Sequence, residues 1–235
     1  YTVYLRCQDG NGNDNKKPYY ISFSIKPGPD ITSPVIEATS IANGAYVPAG
    51  VTETGLTLYT NEPSTCRWSD LDMEYEKMQK TFACTNSQQP TTSLYYGLFD
   101  CTTVLSNLKQ GAPNIYYFRC KDKEGNVNSE SYKYTLQGTV PLEITAISPA
   151  ADTKFFVANP LVKVVTAKGA QGGNAVCGYS FTSENPVDGI EFLKTNSTAH
   201  EQQFEALVPG AYTTYVSCFD AAGNLAQTNT TFSAH

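Results

Sequence analysis

One ten-residue pattern occurs three times in the chain and constrains its fold more than any other feature. Y-x-x-C-x-D-x-x-G-N is read without a gap as YLRCQDGNGN (4–13), YFRCKDKEGN (117–126) and YVSCFDAAGN (215–224). Its cysteines lie about 100 residues apart, the usual length of one domain. Cys, Asp and Asn together could form a metal or catalytic site, or they could mark a repeated structural unit.

The residues around each copy favour the structural interpretation. Period-two alternation places the cysteine on the core face of a strand beside apolar or small neighbours. These neighbours are Val3 and Leu5, Tyr116 and Phe118, and Thr214 and Val216. Asp-x-x-Gly-Asn then supplies turn chemistry, because aspartate accepts backbone N–H groups while Gly and Asn tolerate positive φ. A second strand-like segment follows each time, so each copy is predicted to be a β-hairpin.

Strand-like segments rich in Thr, Tyr and Val, such as GLTLYT and LVKVVTA, precede the second and third copies. Turn residues bound nearly all of them, which is typical of an all-β sandwich. Short linkers bearing Pro and Gly fall at 26–34 and 137–143, so we expect a stiff, extended string of domains. The predicted units are a hairpin of an incomplete domain at 1–27, a domain at 28–138 with an insertion at 69–104, and a domain at 139–235.

The lead-in DITSPVI (30–36), the turn TNEPSTCRWS (60–69) and the hairpin motif carry a family resemblance. The chain resembles tandem immunoglobulin-like or fibronectin type III-like repeats of large bacterial and archaeal cell-surface proteins. The resemblance covers essentially the whole chain and implies tandem, disulfide-stapled sandwiches. It specifies a fold far better than a function, because such folds serve adhesins, stalks, surface layers, filaments and spacers of secreted enzymes.

Cysteine usage indicates the compartment. Seven cysteines against two histidines, with no C-x-x-C pair, favour disulfides over zinc and place the protein in an oxidising environment. Glycosylation-type sequons at Asn196 and Asn229 also favour export. We therefore expect an extracellular or cell-surface location.

The arrangement of the cysteines suggests which of them pair. The last domain contains only two, which are expected to bond, and analogy of position extends this pairing to the middle domain. The expected bonds are Cys177–Cys218, Cys66–Cys120 and Cys84–Cys101. The four cysteines of the middle domain allow two other connectivities, which stay open. Each bond is expected to contribute about 2–4 kcal/mol by restricting the unfolded chain.

Cys7 is left without a partner. One interpretation is that this chain is a segment of a longer protein whose preceding part holds the partner cysteine. The other is that the hairpin completes the sandwich of another subunit through an intermolecular disulfide, because incomplete sheets invite strand addition. That second arrangement would produce a polymer.

Asp9, Asp122 and Asp220 are the candidate metal ligands, since calcium prefers oxygen ligands and these carboxylates lie in predicted turns. Each turn offers few of the six to eight oxygens that calcium takes, so a capped turn is the simpler interpretation.

Residues 69–82 break the β pattern. Their apolar positions recur at steps of four, three and four, which predicts a short amphipathic helix packed on the sandwich. These positions are Leu71, Tyr75, Met78 and Phe82. Ser69 or Asp70 would cap such a helix, and Glu76 and Lys80 would pair along it. A partner-binding face is the alternative role.

Aromatic residues are the remaining candidates for recognition. Trp68 shares a strand face with Cys66 and is expected in the core. The opposite strand faces carry Tyr4, Tyr117 and Tyr215. These side chains could stack on carbohydrate or on a neighbouring subunit, and cross-strand pairing within the sheet explains them as well.

Composition excludes several function classes. The net charge of −6 and the lack of a basic stripe exclude a typical nucleic-acid partner, and no apolar run is long enough to span a membrane. His200 and His235 are isolated and no catalytic motif is present, so no enzymatic activity and no cofactor are expected.

These observations predict a structural extracellular protein, a repeat segment of a stalk, surface layer or filament that could polymerise by strand complementation. Its partners would be neighbouring copies or flanking repeats. The alternatives are an adhesin that recognises glycan or protein through residues 69–104, and an accessory spacer of a secreted enzyme.

Overall fold

The computed structural model describes residues 1–25, 28–156, 159–185 and 188–235. Residues 26 and 27, where the first predicted domain ends and its linker begins, lie outside the described residues. The described chain forms two compact units, Tyr1–Thr32 and Ser33–His235. The strands are β1 Thr2–Leu5, β2 Tyr19–Ser22, β3 Ile36–Thr39, β4 Tyr46–Val47, β5 Glu53–Thr60, β6 Thr65–Ser69, β7 Lys80–Thr81, β8 Ala83–Gln88, β9 Phe99–Ser106, β10 Pro113–Lys121, β11 Tyr132–Gly138, β12 Leu142–Ser148, β13 Thr153–Phe155, β14 Leu161–Lys168, β15 Ala175–Ser180, β16 Ile190–Glu191, β17 Ala199–Gln203, β18 Gly210–Asp220 and β19 Leu225–Ala234.

The first unit contains an antiparallel hairpin of β1 and β2, which we call the N-terminal hairpin (residues 1–25). Val3 pairs with Ile21, and Leu5 pairs with Tyr19. All residues of both strands are exposed, including the apolar ones on the face predicted to be a core face. Two strands alone cannot bury an apolar face. That this hairpin belongs to an incomplete sandwich stays a prediction.

The second unit contains two β-sandwiches. In the first sandwich (β3–β11), one sheet has the strand order β3-β5-β9-β8 and the other has the order β4-β11-β10-β6-β7. These orders are the A-B-E-D and A′-G-F-C-C′ sheets of an immunoglobulin-like sandwich, and β4 pairs in parallel with β11. The predicted tandem immunoglobulin-like, all-β architecture is confirmed.

The core of the first sandwich lies between its two sheets. Leu56 and Leu58 of β5 face Phe118 of β10 and Tyr134 of β11, and all four side chains are buried. Trp68 on β6 packs edge-on against Tyr116, with ring centroids 5.4 Å apart. The alternation read from the sequence therefore assigns the buried face of β10 correctly.

The second sandwich (β12–β19) repeats this plan. Its sheets have the orders β12-β14-β17 and β13-β19-β18-β15-β16, and β13 pairs in parallel with β19. Val162 and Val164 of β14 pack with Val216 of β18 and Phe232 of β19 in the core.

The helix predicted over residues 69–82 is wrong. The segment forms only a single 3-10 turn at Tyr75–Lys77, and the backbone is extended at Glu74 before it and at Met78 after it. Tyr75 and Met78 are buried, but Leu71 is 65% exposed, so the four positions do not share one face. Isolated short helices are marginal, and here strand pairing is favoured.

The end of this segment forms a strand instead of a helix. Lys80 and Thr81 form β7, which pairs with β6, and the Phe82 N–H donates to the carbonyl of Cys66 at 2.9 Å. Ser69 belongs to β6 and caps no helix. The span 69–104 supplies β7, β8 and most of β9, so it is largely part of the two sheets. None of the helical turns in the described residues has the length and apolarity needed to cross a bilayer.

Candidate functional site

The three hairpin turns share one hydrogen-bonded geometry. In the first, Asp9 Oδ1 accepts the N–H groups of Asn11 and Asn13, each at 2.9 Å, and Asp9 Oδ2 accepts Nδ2 of Asn13. In the second, both oxygens of Asp122 accept from Asn126, at 2.8 Å from the main chain and 2.7 Å from the side chain. The motif residues thus bind each other within each turn.

These hydrogen bonds favour the ionised carboxylates. The side chain and main chain of Asn13 hold the pKa of Asp9 below its ordinary value. Partial burial acts to raise the pKa of Asp122, but N–H donors from Asn126 and the turn outweigh it and leave the pKa lowered. These carboxylate oxygens already accept N–H groups within their turns, and the calcium site there stays a prediction.

The third turn extends this network to the first sandwich. Asp220 accepts from Asn224 and also from the Ala170 N–H at 2.6 Å. Asn224 Nδ2 donates to Thr139 Oγ1 at 2.9 Å, and Asn224 Oδ1 accepts the Ala49 N–H at 2.7 Å. The motif asparagine of the second sandwich is therefore also a joint residue, which sequence reasoning did not identify. A polar side chain in a turn gives no signal for such a remote contact.

Three disulfides are present in the described residues, and each joins residues directly opposite on neighbouring strands of one sheet. The bonds are Cys66–Cys120 between β6 and β10, Cys84–Cys101 between β8 and β9, and Cys177–Cys218 between β15 and β18. The antibody-type disulfide instead links strands B and F across the two sheets. Here leucines of β5, the B strand, fill the core.

Cys7 is exposed and carries a free thiol. Its N–H donates to Asn15 Oδ1 at 2.7 Å, and the N–H of Cys120 donates in the same way to Asn128. Sequence reasoning missed this second asparagine, although it stands eight residues after the cysteine in both copies. The third copy has Ala226 at that position, so the signal is partial.

The segment between β6 and β7 is fixed by contacts of Tyr75. The guanidinium of Arg67 lies 4.6 Å from the centroid of this ring, and the ammonium of Lys121 lies 4.7 Å from it. Glu76 accepts from Lys121 at 2.7 Å, which lowers the pKa of that carboxyl. Glu76 thus pairs across strands and not with Lys80, whose ammonium lies 4.0 Å from the ring centroid of Trp68. This arrangement anchors the segment and keeps the Tyr75 side chain buried.

The loop between β8 and β9 (residues 89–98) presents apolar side chains to solvent. Leu94 is 89% exposed and Tyr96 is 62% exposed. Tyr95 instead stacks on Tyr59 of β5, with ring centroids 3.8 Å apart. The stacked tyrosine holds the loop on the sheet while its two neighbours stay available for contact.

The other predicted residues have ordinary structural surroundings. Trp68 is buried and donates from Nε1 to Thr103 Oγ1 at 3.1 Å. Tyr4 lies beside its cross-strand partner Tyr20, with centroids 6.3 Å apart. Tyr117 and Tyr215 are half-buried, opposite Lys133 and Asn229 respectively.

The histidines and the two sequons lie in the second sandwich. His200 is fully buried, with each ring nitrogen 2.9 Å from a threonine hydroxyl, Thr166 or Thr195. Burial lowers the pKa of His200. His235 stacks on Phe156 at the surface. Asn196 and Asn229 are both exposed, Asn196 in a loop and Asn229 within β19, and glycosylation of either stays a prediction.

Comparison with known proteins adds fold-level similarity only. No protein-family model matches the chain, and no curated protein matches it. Fibronectin(III)-like modules of Clostridium thermocellum CbhA align at a TM-score of 0.43 with 13% identity, over 86% of this chain and 92% of that one. Chicken CNTN1 FN1–FN3 domains align at 0.42 with 12% identity, over 97% and 77%.

Sidekick-1 immunoglobulin domains 1–4 align at 0.41 with 14% identity, over 99% of this chain and 57% of that structure. Scores and identities this low carry no argument about function. The strand orders of both sandwiches identify the fold by themselves. This chain carries tandem immunoglobulin-like or fibronectin type III-like sandwiches stapled by disulfides.

Proposed function

We propose that this chain is a non-catalytic, structural segment of an extracellular repeat protein, a stalk, surface layer or filament. In this proposal, its N-terminal hairpin is completed by a cysteine-bearing strand from a neighbouring repeat of the same protein. The carrying observation is the contrast among the three hairpins. In the hairpins of the two sandwiches, Cys120 and Cys218 are bonded to cysteines of adjacent strands. In the N-terminal hairpin, Cys7 has an exposed free thiol.

The two complete hairpins indicate what the missing partner resembles. In both, the cysteine-bearing strand of the hairpin pairs antiparallel with a strand whose cysteine lies directly opposite. The apolar side chains beside Cys120 and Cys218 are buried, whereas Val3 and Leu5 are exposed. A strand that places a cysteine opposite Cys7 would extend this sheet and close a hairpin disulfide like Cys66–Cys120 and Cys177–Cys218. The facing sheet of the same repeat would then cover Val3 and Leu5.

Disulfide-stapled, edge-paired repeats suit a mechanical role. Each covalent bond holds two neighbouring strands together even when local contacts open. The network around Asn224 joins the two complete sandwiches by hydrogen bonds to Thr139 and Ala49, which supports a stiff connection between consecutive repeats.

A peptide experiment tests the proposal. The probe is a synthetic peptide with the sequence of residues 64–70, which pairs with the second hairpin, and its rate of mixed-disulfide formation with Cys7 is measured. The control peptide has the same composition with its cysteine moved by one position, which turns the cysteine to the other face. We expect about a tenfold preference for the first peptide, equivalent to about 1.4 kcal/mol. A few cross-strand pairs at about 0.2–1 kcal/mol each supply this energy.

Equal rates for the two peptides would refute strand complementation and identify Cys7 as an ordinary surface thiol. A Cys7→Ser variant must abolish both products. Negative-stain electron microscopy of the native material then separates the two assemblies. Fibres that fall apart on reduction support completion by another chain, whereas single rods support completion within one polypeptide.

An adhesive role is the second candidate, and the exposed Leu94 and Tyr96 of the 89–98 loop favour it. Apolar and aromatic side chains at a loop tip are suited to stacking on sugars or inserting into a protein pocket. A glycan array probed with the native chain and with a Leu94→Ser/Tyr96→Ser variant tests this role. Binding lost in the variant supports adhesion, and no binding by the native chain argues against glycan recognition.

A further inference from the structure

Two disulfides of the first sandwich face each other across its core. Cys66–Cys120 lies in the sheet of β6 and β10, and Cys84–Cys101 lies in the opposite sheet. The sulfur atoms of Cys66, Cys84 and Cys101 all lie within 4.8 Å of one another. One disulfide therefore lies within a small side-chain movement of the other.

The four cysteine residues differ in their exposure to solvent. Cys66, Cys101 and Cys120 are buried, at 1%, 1% and 0% exposure. Cys84 is half-buried and lies on β8, the edge strand of its sheet, between the exposed residues Ala83 and Thr85. Cys84 is therefore the residue of the four at which we expect a thiol from solvent to attack.

We propose that Cys84 is a thiol-modification site, at which a low-molecular-mass thiol starts a disulfide exchange through the core of the first sandwich. The incoming thiolate attacks Cys84 Sγ, forms a mixed disulfide there, and expels Cys101 as a thiolate. Cys101 then attacks Cys66 Sγ and expels Cys120, which takes up a proton. One disulfide forms for each one broken, so the added thiol is the only co-reactant required.

Two features of the geometry favour the attack of Cys101 on Cys66. Cys101 is buried in the core, so reagents in solvent have little access to it after it is expelled. Its target lies in contact range, so the attack has the high effective concentration of an intramolecular reaction. The product disulfide, Cys66–Cys101, joins β6 in one sheet to β9 in the other. Neither sheet of the first sandwich then keeps the disulfide that linked two of its own strands.

This inference concerns chemistry in the first sandwich and does not depend on the proposed function. Its test uses the full chain in a Cys7→Ser background, so that the exposed thiol takes no part. The protein is exposed to glutathione under native conditions, alkylated, digested, and its linked peptides are identified by mass spectrometry. Trp68 fluorescence is followed in parallel to show that the sandwich stays folded.

The expected result is a Cys66–Cys101 linked peptide, glutathione on Cys84 and an alkylated Cys120. Gain of this linked peptide should match the loss of the Cys66–Cys120 peptide one for one. Glutathione on Cys84 with Cys66–Cys120 intact would overturn the proposal, and so would complete resistance to glutathione in the folded protein.

A variant that needs no added thiol provides an independent measurement. Cys84→Ser in the same background leaves Cys101 unpaired beside the other disulfide, so a mixture of Cys66–Cys120 and Cys66–Cys101 is expected. The matched control is Cys177→Ser, which leaves Cys218 unpaired in a sandwich with no second disulfide in its described residues, and no new linkage is expected. New linkages that form only in urea would contradict the proposal. If Cys84→Ser does not fold, the glutathione experiment decides.

Discussion

Replacing Asn224 with alanine removes three side-chain hydrogen bonds at the joint of the two sandwiches. Its Nδ2 donates to Thr139 Oγ1 at 2.9 Å and to Asp220 Oδ2 at 2.8 Å, and its Oδ1 accepts the Ala49 N–H at 2.7 Å. Asn224 is buried, so water does not readily replace these partners.

The magnitude follows from the number of bonds and their burial. Each hydrogen bond contributes about 1 kcal/mol net, and a buried donor left without an acceptor adds to the loss. We expect the free energy of unfolding to fall by about 2–4 kcal/mol. For a unit of this size the melting temperature shifts by about 2–4 °C per kcal/mol, so a drop of about 10 °C is expected.

Two spectroscopic signals show which sandwich the Asn224→Ala substitution destabilises. Trp68 is the single tryptophan and lies in the core of the first sandwich, so its fluorescence reports that sandwich alone, whereas circular dichroism reports both. In the native protein we expect the two urea transitions to coincide because the joint couples the sandwiches. In the Asn224→Ala variant we expect both to move to lower urea and to separate.

The matched control is Asn13→Ala in the N-terminal hairpin. Asn13 occupies the same motif position, but its side chain donates to Asp9 within an exposed turn. Its loss should leave the transitions of both sandwiches unchanged. If Asn224→Ala shifts them no more than Asn13→Ala does, the joint contributes nothing and the reasoning is refuted.

Three further outcomes are expected. Burial lowers the pKa of His200, so the unfolded chain binds the proton more readily than the folded chain does. The free energy of unfolding should therefore keep the full contribution of His200 above about pH 6.5 and fall below that pH, by at most about 1.4 kcal/mol per pH unit. Urea titrations of the His200→Gln variant should lack this slope. Gly138→Ala places a methyl group 1.9 Å from a main-chain oxygen, so thermal melting should show a loss of about 1–3 kcal/mol or more in the free energy of unfolding. The control Gly55→Ala meets nothing within 4 Å and should change this free energy little. Tyr75→Ala should cost about 3–5 kcal/mol and the exposed Leu71→Ala about 0.5 or less by urea denaturation; equal losses would restore the helical interpretation.

The repeated hairpin could be predicted because its information is local. The alternation around Cys120 identifies the buried face of β10, and Asp122 with Asn126 specifies the turn within a few residues. Two cysteines in the last domain leave one pairing, which analogy of position extends to the middle domain. These features depend on side-chain periodicity and on short-range hydrogen bonds, both of which are visible in the chain itself.

The segment after Trp68 could not be predicted in the same way. Its apolar spacing fits a helix, but edge pairing of Lys80 and Thr81 with β6 and the contacts of Tyr75 extend the backbone instead. A weak local preference of a few residues is overridden when a neighbouring strand offers main-chain hydrogen bonds.

The sequence by itself determined the all-β class, the hairpin motif and the buried faces of β10 and β18, because neighbouring residues encode all three. Only the tertiary structure decided that Asn224 joins two sandwiches and that Cys84–Cys101 lies against Cys66 in the opposite sheet. Such contacts depend on how whole sheets pack, and the strands that meet in them are far apart in the chain. The physical reason is that periodicity fixes which face of a strand is buried, while sheet packing fixes what that face contacts.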